Sequence, residues 1–132
     1  MPETNAELFQ RIRPRLSELD RELLAEDAEW VNPPDAVETG TRRGADDFLR
    51  AIARVFEGWD ESNFEIESVI ENGDDVIALG ALRTLAQAGL EVTGEHAEIW
   101  TIEDGKIARM CWFRTHEEAL AAAGVSRPGQ RE

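Results

Sequence analysis

The stretch from Phe64 to Thr115 constrains the fold most. Apolar residues alternate or run together there in segments of strand length. Two of the breaks are tight-turn sequences, "NGDD" at 72–75 and "EDGK" at 103–106. Short turns of this kind join antiparallel neighbours, because a parallel connection needs a crossover of a dozen residues or more. The segment therefore reads as a meander of four strands, "FEIESVIEN", "VIALGALRTLAQ", "VTGEHAEIWTI" and "IARMCWFRT", with "AGLE" as the remaining turn. The second strand is almost wholly apolar, which predicts cover on both its faces.

Helical spacing dominates the preceding half. "AELFQRIR" sets Leu8, Phe9 and Ile12 on one face until Pro14 interrupts. "SELDRELLAE" predicts a second helical stretch, started by Ser17 with Asp20 three residues on and striped by Leu16, Leu19, Leu23 and Leu24. "AEWVN" reads as a short strand stopped by Pro33 and Pro34, and "DAVETGTRRG" as a loop or irregular hairpin. "ADDFLRAIARVFEGW" is the clearest helix. Phe48, Ile52, Val55 and Phe56 share a face, Asp46 and Asp47 lie in the first turn, and Gly58 marks the end. A last helix, "HEEALAAAG", closes at Gly124. Helices and strands are segregated, so the class is α+β with a mostly antiparallel sheet. The 132 residues suit one domain over 1–124, with 125–132 as a flexible C-terminal tail. Helices are expected on one side of the sheet, and a second subunit on the other makes a homodimer the expected state.

A net charge of −14 argues against nucleic acid and anionic membrane as partners, since phosphate recognition needs Lys and Arg. Cys111 is the only cysteine, which excludes an intrachain disulfide and a Cys-rich zinc site. His96 and Glu98 make only a pair where zinc wants three protein ligands, so no metal is expected. Gly-rich nucleotide patterns are absent, and no cofactor is expected. The first residues carry no apolar signal core, and no apolar run reaches the ~18 residues of a membrane span. A cytoplasmic location is the default.

Within "EHAEIW", strand periodicity puts His96, Glu98 and Trp100 on one face and Glu95, Ala97 and Ile99 on the other. If the first face looks inward, a histidine and a carboxylate share an interior, which is costly and points to chemistry. If it looks outward, they are a solvated stripe.

The run from "AEWVNPP" through "RRGADDFLRAI" to "EIWTIEDGKIARM" and "HEEALAAAGV" resembles the SnoaL-like branch of the nuclear transport factor 2-like superfamily, over roughly residues 5 to 124. The hairpin from Trp100 to Ile107 is its most specific part. The resemblance implies a cone-shaped, strongly curved sheet wrapped by helices, an apolar pocket within it, and dimerisation through the outer sheet face. Relatives include polyketide cyclases, ketosteroid isomerases, limonene epoxide hydrolases and dehydratases, and also plain binding modules, so fold alone does not decide function.

The resemblance also implies site positions. Asn32 stands where isomerases keep an aspartate base. An amide cannot take that proton at neutral pH, but it can hold a ligand or a water, as in epoxide hydrolases. Trp30 stands at the aromatic position two residues before it. Glu98 falls where isomerases keep an acid. In an apolar pocket its pKa would rise, making it a neutral donor or a tuned base, with His96 as partner; on an exposed strand it would titrate normally. Trp112 replaces the carboxylate that cyclases and epoxide hydrolases carry on the last strand. Trp30, Trp100 and Trp112, with Met110 as gap-filler, form either an aromatic wall for a flat ligand or simply core. Arg83 is either a pocket cation or an interface or edge residue. His116 starts the last helix without an assigned role.

Two functions follow. One is a cofactor-independent isomerase, cyclase, dehydratase or hydrolase acting on a small apolar or aromatic molecule, with Glu98, His96 and Asn32 as its machinery. The other is a non-catalytic ligand-binding or dimerisation module that keeps the cone and has lost the acid/base residues.

Overall fold

Thr4 starts the chain's first helix by a reciprocal cap. Its hydroxyl accepts the Glu7 backbone N–H at 3.1 Å, and the Glu7 carboxylate accepts the Thr4 N–H at 2.9 Å. A computed structural model describes residues 3–33, 40–56, 59–86 and 91–125. Helix α1 (Asn5–Ile12) buries Leu8, Phe9 and Ile12, as their spacing predicts. It ends at Ile12, because Pro14 lacks the N–H that the next turn needs. The chain goes on in 3₁₀ turns over Arg13–Glu18 and Arg21–Leu23, the first kinked at Arg15.

The second helix expected over Ser17–Glu26 does not form. Strand β1 (Leu24–Asn32) takes its last residues and aligns parallel with β6 (Lys106–Phe113), Leu24 opposite Ile107 and Trp30 opposite Met110. Leu16 and Leu24 still reach the core, and Leu19 and Leu23 pack against it, so the apolar stripe is satisfied without helical backbone. Pairing with a buried strand outweighs a helix propensity worth tenths of a kcal/mol per residue.

Strand β2 (Gly40–Arg43) folds back antiparallel on β1, so the hairpin reading of this region holds at its strand. Helix α2 (Ala45–Phe56) follows as the spacing predicts and buries Phe48 and Ile52. Strands β3 (Trp59–Asn72), β4 (Asp75–Ala86), β5 (Glu91–Glu103) and β6 form the expected antiparallel meander, with β3 starting five residues earlier than its alternation indicates. The six strands lie in the order β2-β1-β6-β5-β4-β3. Val76 to Leu79 of β4 are all buried, as a strand covered on both faces requires. Helix α3 (His116–Ala123) is capped by Thr115 and ended by Gly124 in the left-handed region at φ 72°. The expectations for residues 34–39, Gly58, the turn at 87–90 and the tail beyond Val125 lie outside the described residues. Among the described residues no helix is long and apolar enough to cross a membrane.

The sheet is curved, and α1 and α2 fill its concave side with a core that includes Phe9, Phe48, Trp30, Trp100, Ile102 and Met110. Helix α3 lies on the opposite, convex side over Ile77, Leu79, Ala97 and Ile99. The convex face therefore has a helix of its own, contrary to the expectation that a second subunit alone would cover it. Gly80 permits the curvature. A Cβ there would stand 2.0 Å from the Glu65 carbonyl oxygen, so only glycine lets β3 cross β4 this closely. The β3 register shifts between Ile66 and Ser68 at the same place, a bulge that sharpens the bend.

Candidate functional site

His96, Glu98 and Trp100 face the concave side, and all three are buried. The polar stripe is therefore interior, and Glu98 is its centre. Arg13, placed by the break after α1, approaches the carboxylate fork to fork, with Nε donating to Oε1 and Nη2 to Oε2, both at 2.8 Å. His96 Nε2 lies 2.8 Å from Oε2, and Trp100 Nε1 donates to Oε1 at 2.8 Å. Each carboxylate oxygen thus accepts two hydrogen bonds, which is close to the capacity of the group.

This geometry overturns both expectations for Glu98. The residue is neither solvated nor neutral. Burial by itself would raise its pKa. The Arg13 charge and hydrogen bonds, followed by those of His96, outweigh burial and hold the carboxyl well below the usual carboxylate range. Burial likewise opposes the charge on Arg13, and the Glu98 carboxylate overcomes it and raises that pKa. A carboxylate that stays ionised and fully bonded is a poor proton donor and a poor base.

An ionised carboxylate only accepts, so the His96 nitrogen facing it carries the hydrogen. In the neutral ring Nδ1 is then the lone pair. Among the described residues no buried polar side-chain atom lacks a partner, and the hydrogen bond recorded for the His96 ring is made at Nε2. The ring stands edge-on to Phe64 at 4.9 Å and tilted against Trp112 at 5.8 Å between centroids. Phe64 also carries the Arg13 guanidinium 5.2 Å from its centre. A carboxylate orients the imidazole, and aromatic rings hold it in place.

Asn32, at the end of β1, accepts from two indoles at once, Trp30 Nε1 at 2.9 Å and Trp112 Nε1 at 2.7 Å. Both are obligate donors, so Oδ1 is identified by its partners and the other end of the amide is Nδ2, a donor. Trp30 stands edge-on to Phe48 at 5.3 Å, and Trp100 packs on Phe48 and Phe9 at 6.2 and 5.9 Å. Trp30, Trp100 and Met110 are buried in the packed core, while Trp112 keeps partial exposure. Of the three expected wall tryptophans, Trp112 is the one with surface to show a ligand.

Arg83 does not join this group. It lies on the convex side of β4, its side chain 56% exposed and 3.8 Å from Glu65. Arg13 takes the place beside Glu98 considered for it. The sequence held a signal for this residue, since Arg13 falls four after Phe9 and three before Leu16, on the buried stripe. His116 starts α3 as expected and is buried, with Nε2 2.7 Å from the Gly80 carbonyl oxygen and its backbone N–H donating to Glu95 at 2.8 Å. Cys111 lies in a convex-side groove of about 630 Å³ between β1, β5, β6 and α3, where burial pushes its thiol pKa up. Among the described residues no group of three His, Cys, Asp or Glu side chains is placed to hold a metal ion.

The family profile of the SnoaL-like domain matches residues 11–110. No protein of curated function matches the chain in sequence. Solved structures share the fold. An NTF2-like protein from Burkholderia thailandensis is 24% identical at a TM-score of 0.72, covering 95% of this chain and 100% of its own. TerC, co-crystallised with polyporic acid, is 23% identical at 0.70, covering 91% and 98%. A protein of ketosteroid isomerase-like fold from Catenulispora acidiphila, in complex with trimethylamine, is 16% identical at 0.70, covering 93% and 96%.

Proposed function

Because this chain belongs to the SnoaL-like domain family, we propose that it binds a small apolar or aromatic molecule on the concave side of its sheet and moves a proton on that molecule with His96. Four hydrogen bonds on Glu98 carry this reading. They leave the carboxylate ionised and occupied, and they hold His96 by Nε2 so that Nδ1 points away from Glu98. Glu98 then acts by orienting the imidazole, as a carboxylate behind a catalytic histidine does. Asn32 Nδ2 is the donor for a ligand oxygen. The chemistry is that of an isomerase, cyclase or hydrolase working without a cofactor. Two solved structures of the same fold hold small molecules, polyporic acid and trimethylamine, which supports a binding role for the cone.

A panel of small cyclic ketones and aromatic aldehydes tests it. Binding is read by tryptophan fluorescence and by the ¹⁵N shift of His96 Nδ1. Proton transfer is read by solvent deuterium entering the ligand's acidic C–H position. The expected result is saturable binding that moves the His96 signal, with deuterium incorporation lost in His96→Gln while the fold is kept. A panel that leaves His96 unmoved sinks the reading.

A non-catalytic binding module is the second reading. It is favoured by the bond between Asn32 and Trp112, which joins two positions where the resemblance implies carboxylates. It predicts binding with no deuterium incorporation. A homodimer through the convex face belongs to the proposal in either case, supported by the apolar floor that Val31, Ile99 and Cys111 give the groove there. Light scattering on Cys111→Glu tests it, a monomer being expected.

A further inference from the structure

Three of the four hydrogen bonds on Glu98 have a fixed direction. Arg13 Nε, Arg13 Nη2 and Trp100 Nε1 can only donate, whereas His96 Nε2 donates or accepts according to its tautomer. The protons of the cluster are therefore decided at one bond, between His96 Nε2 and Glu98 Oε2. Arg13 Nη2 meets that same oxygen, also at 2.8 Å. The Arg13 guanidinium also packs on Phe64, whose ring stands against His96. Arg13 thus touches both the oxygen and the ring that hold the imidazole.

Charge decides where the hydrogens lie. Glu98 and His96 are buried, and Arg13 brings the positive charge to the carboxylate. With Arg13 present, the three side chains are neutral in sum when His96 is neutral. A further proton on Nδ1 would leave a net positive charge in the interior, which burial disfavours. Without Arg13, the pair carries an unbalanced negative charge, and one proton taken from solvent cancels it. That proton has two places to go. On Glu98 it sits on Oε2, because Trp100 keeps Oε1 as an acceptor and the ring faces Oε2 with Nε2; Nε2 then accepts, and the imidazole hydrogen moves to Nδ1. On the ring it makes an imidazolium, with both nitrogens protonated. Each place puts a hydrogen on Nδ1.

We propose that Arg13 is a positioning residue that keeps Nδ1 of His96 free of a proton, acting through Glu98. Proton transfer by His96 would use that lone pair, and only this consequence rests on the reading of His96 as the proton carrier.

The test is ¹⁵N NMR of the histidine side chains at pH 7, with His96 assigned by comparison with His96→Gln. Arg13→Gln keeps a hydrogen-bond donor and removes the charge, whereas Arg13→Lys keeps the charge and loses the fork. Arg13→Met is a second neutral variant, with an apolar chain against Phe64. The expected Nδ1 signal is pyridine-type in the wild-type protein and in Arg13→Lys, and pyrrole-type in Arg13→Gln and Arg13→Met. A merely structural role would not sort the variants by charge. A protonated Nδ1 in the wild-type protein, or an Nδ1 that stays unprotonated in the neutral variants, overturns the proposal. If the variants sort by charge while the ketone and aldehyde panel leaves His96 unmoved, this inference stands and the proton-transfer reading falls.

Discussion

Replacing Arg13 by Met is expected to reverse the way Glu98 contributes to stability with pH. The side chains of Arg13 and Glu98 are 13% and 5% exposed, which sets the pair apart from surface ion pairs worth about 0–1 kcal/mol. Losing one partner of a buried pair costs about 3–5 kcal/mol, because the other charge stays desolvated. A second route gives a similar figure. If Glu98 escapes its charge by taking a proton at pH 7, it pays about 1.36 kcal/mol for each of the roughly 2.7 units between ~4.3 and 7, or about 3.7 kcal/mol. Loss of the guanidinium from the Phe64 face adds about 0.5–2 kcal/mol.

The sign follows from linkage. In the wild-type protein the folded pKa of Glu98 lies below its unfolded value, so its contribution is fully present above about pH 4.3 and is lost as pH falls towards the folded pKa. Without Arg13, burial dominates and the folded pKa rises above the unfolded one. The contribution is then lost as pH rises between the two. The deficit of Arg13→Met relative to wild type should therefore grow from pH 4 to pH 7. Urea unfolding followed by tryptophan fluorescence across that range measures it, and the difference between proteins cancels the other carboxylates. Adding Glu98→Gln should restore at least half of the loss, because the uncompensated charge is gone. A pH-independent deficit below about 1 kcal/mol would refute the buried-pair account.

Gly80→Ala should destabilise by on the order of 3 kcal/mol or prevent folding, since its Cβ meets backbone at 2.0 Å; urea midpoints check this. Asn32→Leu leaves two indole N–H groups without an acceptor and should cost about 1–3 kcal/mol for each that stays buried. Asn32→Asp keeps an acceptor for both and should lose less than Asn32→Leu at pH 7, which chemical denaturation of the two variants compares. Cys111 should react slowly with iodoacetamide at pH 7.5, and faster in urea, because burial raises its pKa; mass spectrometry follows the adduct.

The meander was legible because its turns name themselves. Asn72–Asp75 and Glu103–Lys106 are pairings closed by two residues, with Gly73, Asp104 and Gly105 at positive φ. Helix α2 was legible through its apolar face. The stretch from Ser17 to Glu26 was misread because leucines at helical spacing also suit tight turns followed by a strand, and the partner that decides, β6, lies some eighty residues on. The inward face of "EHAEIW" could be posed as a question by alternation, whereas its answer needed the helices above it.

Local pattern determined what depends on neighbours in the chain: the period-2 faces, the turns, the end of α3 at Gly124, and the grouping of His96, Glu98 and Trp100 on one face. Tertiary structure decided the charge state of that face. A buried glutamate alone turns neutral, and Arg13, 85 positions away, keeps it ionised. Electrostatic energy depends on distance through space and on exclusion of water, and neither is written in the spacing of residues along the chain.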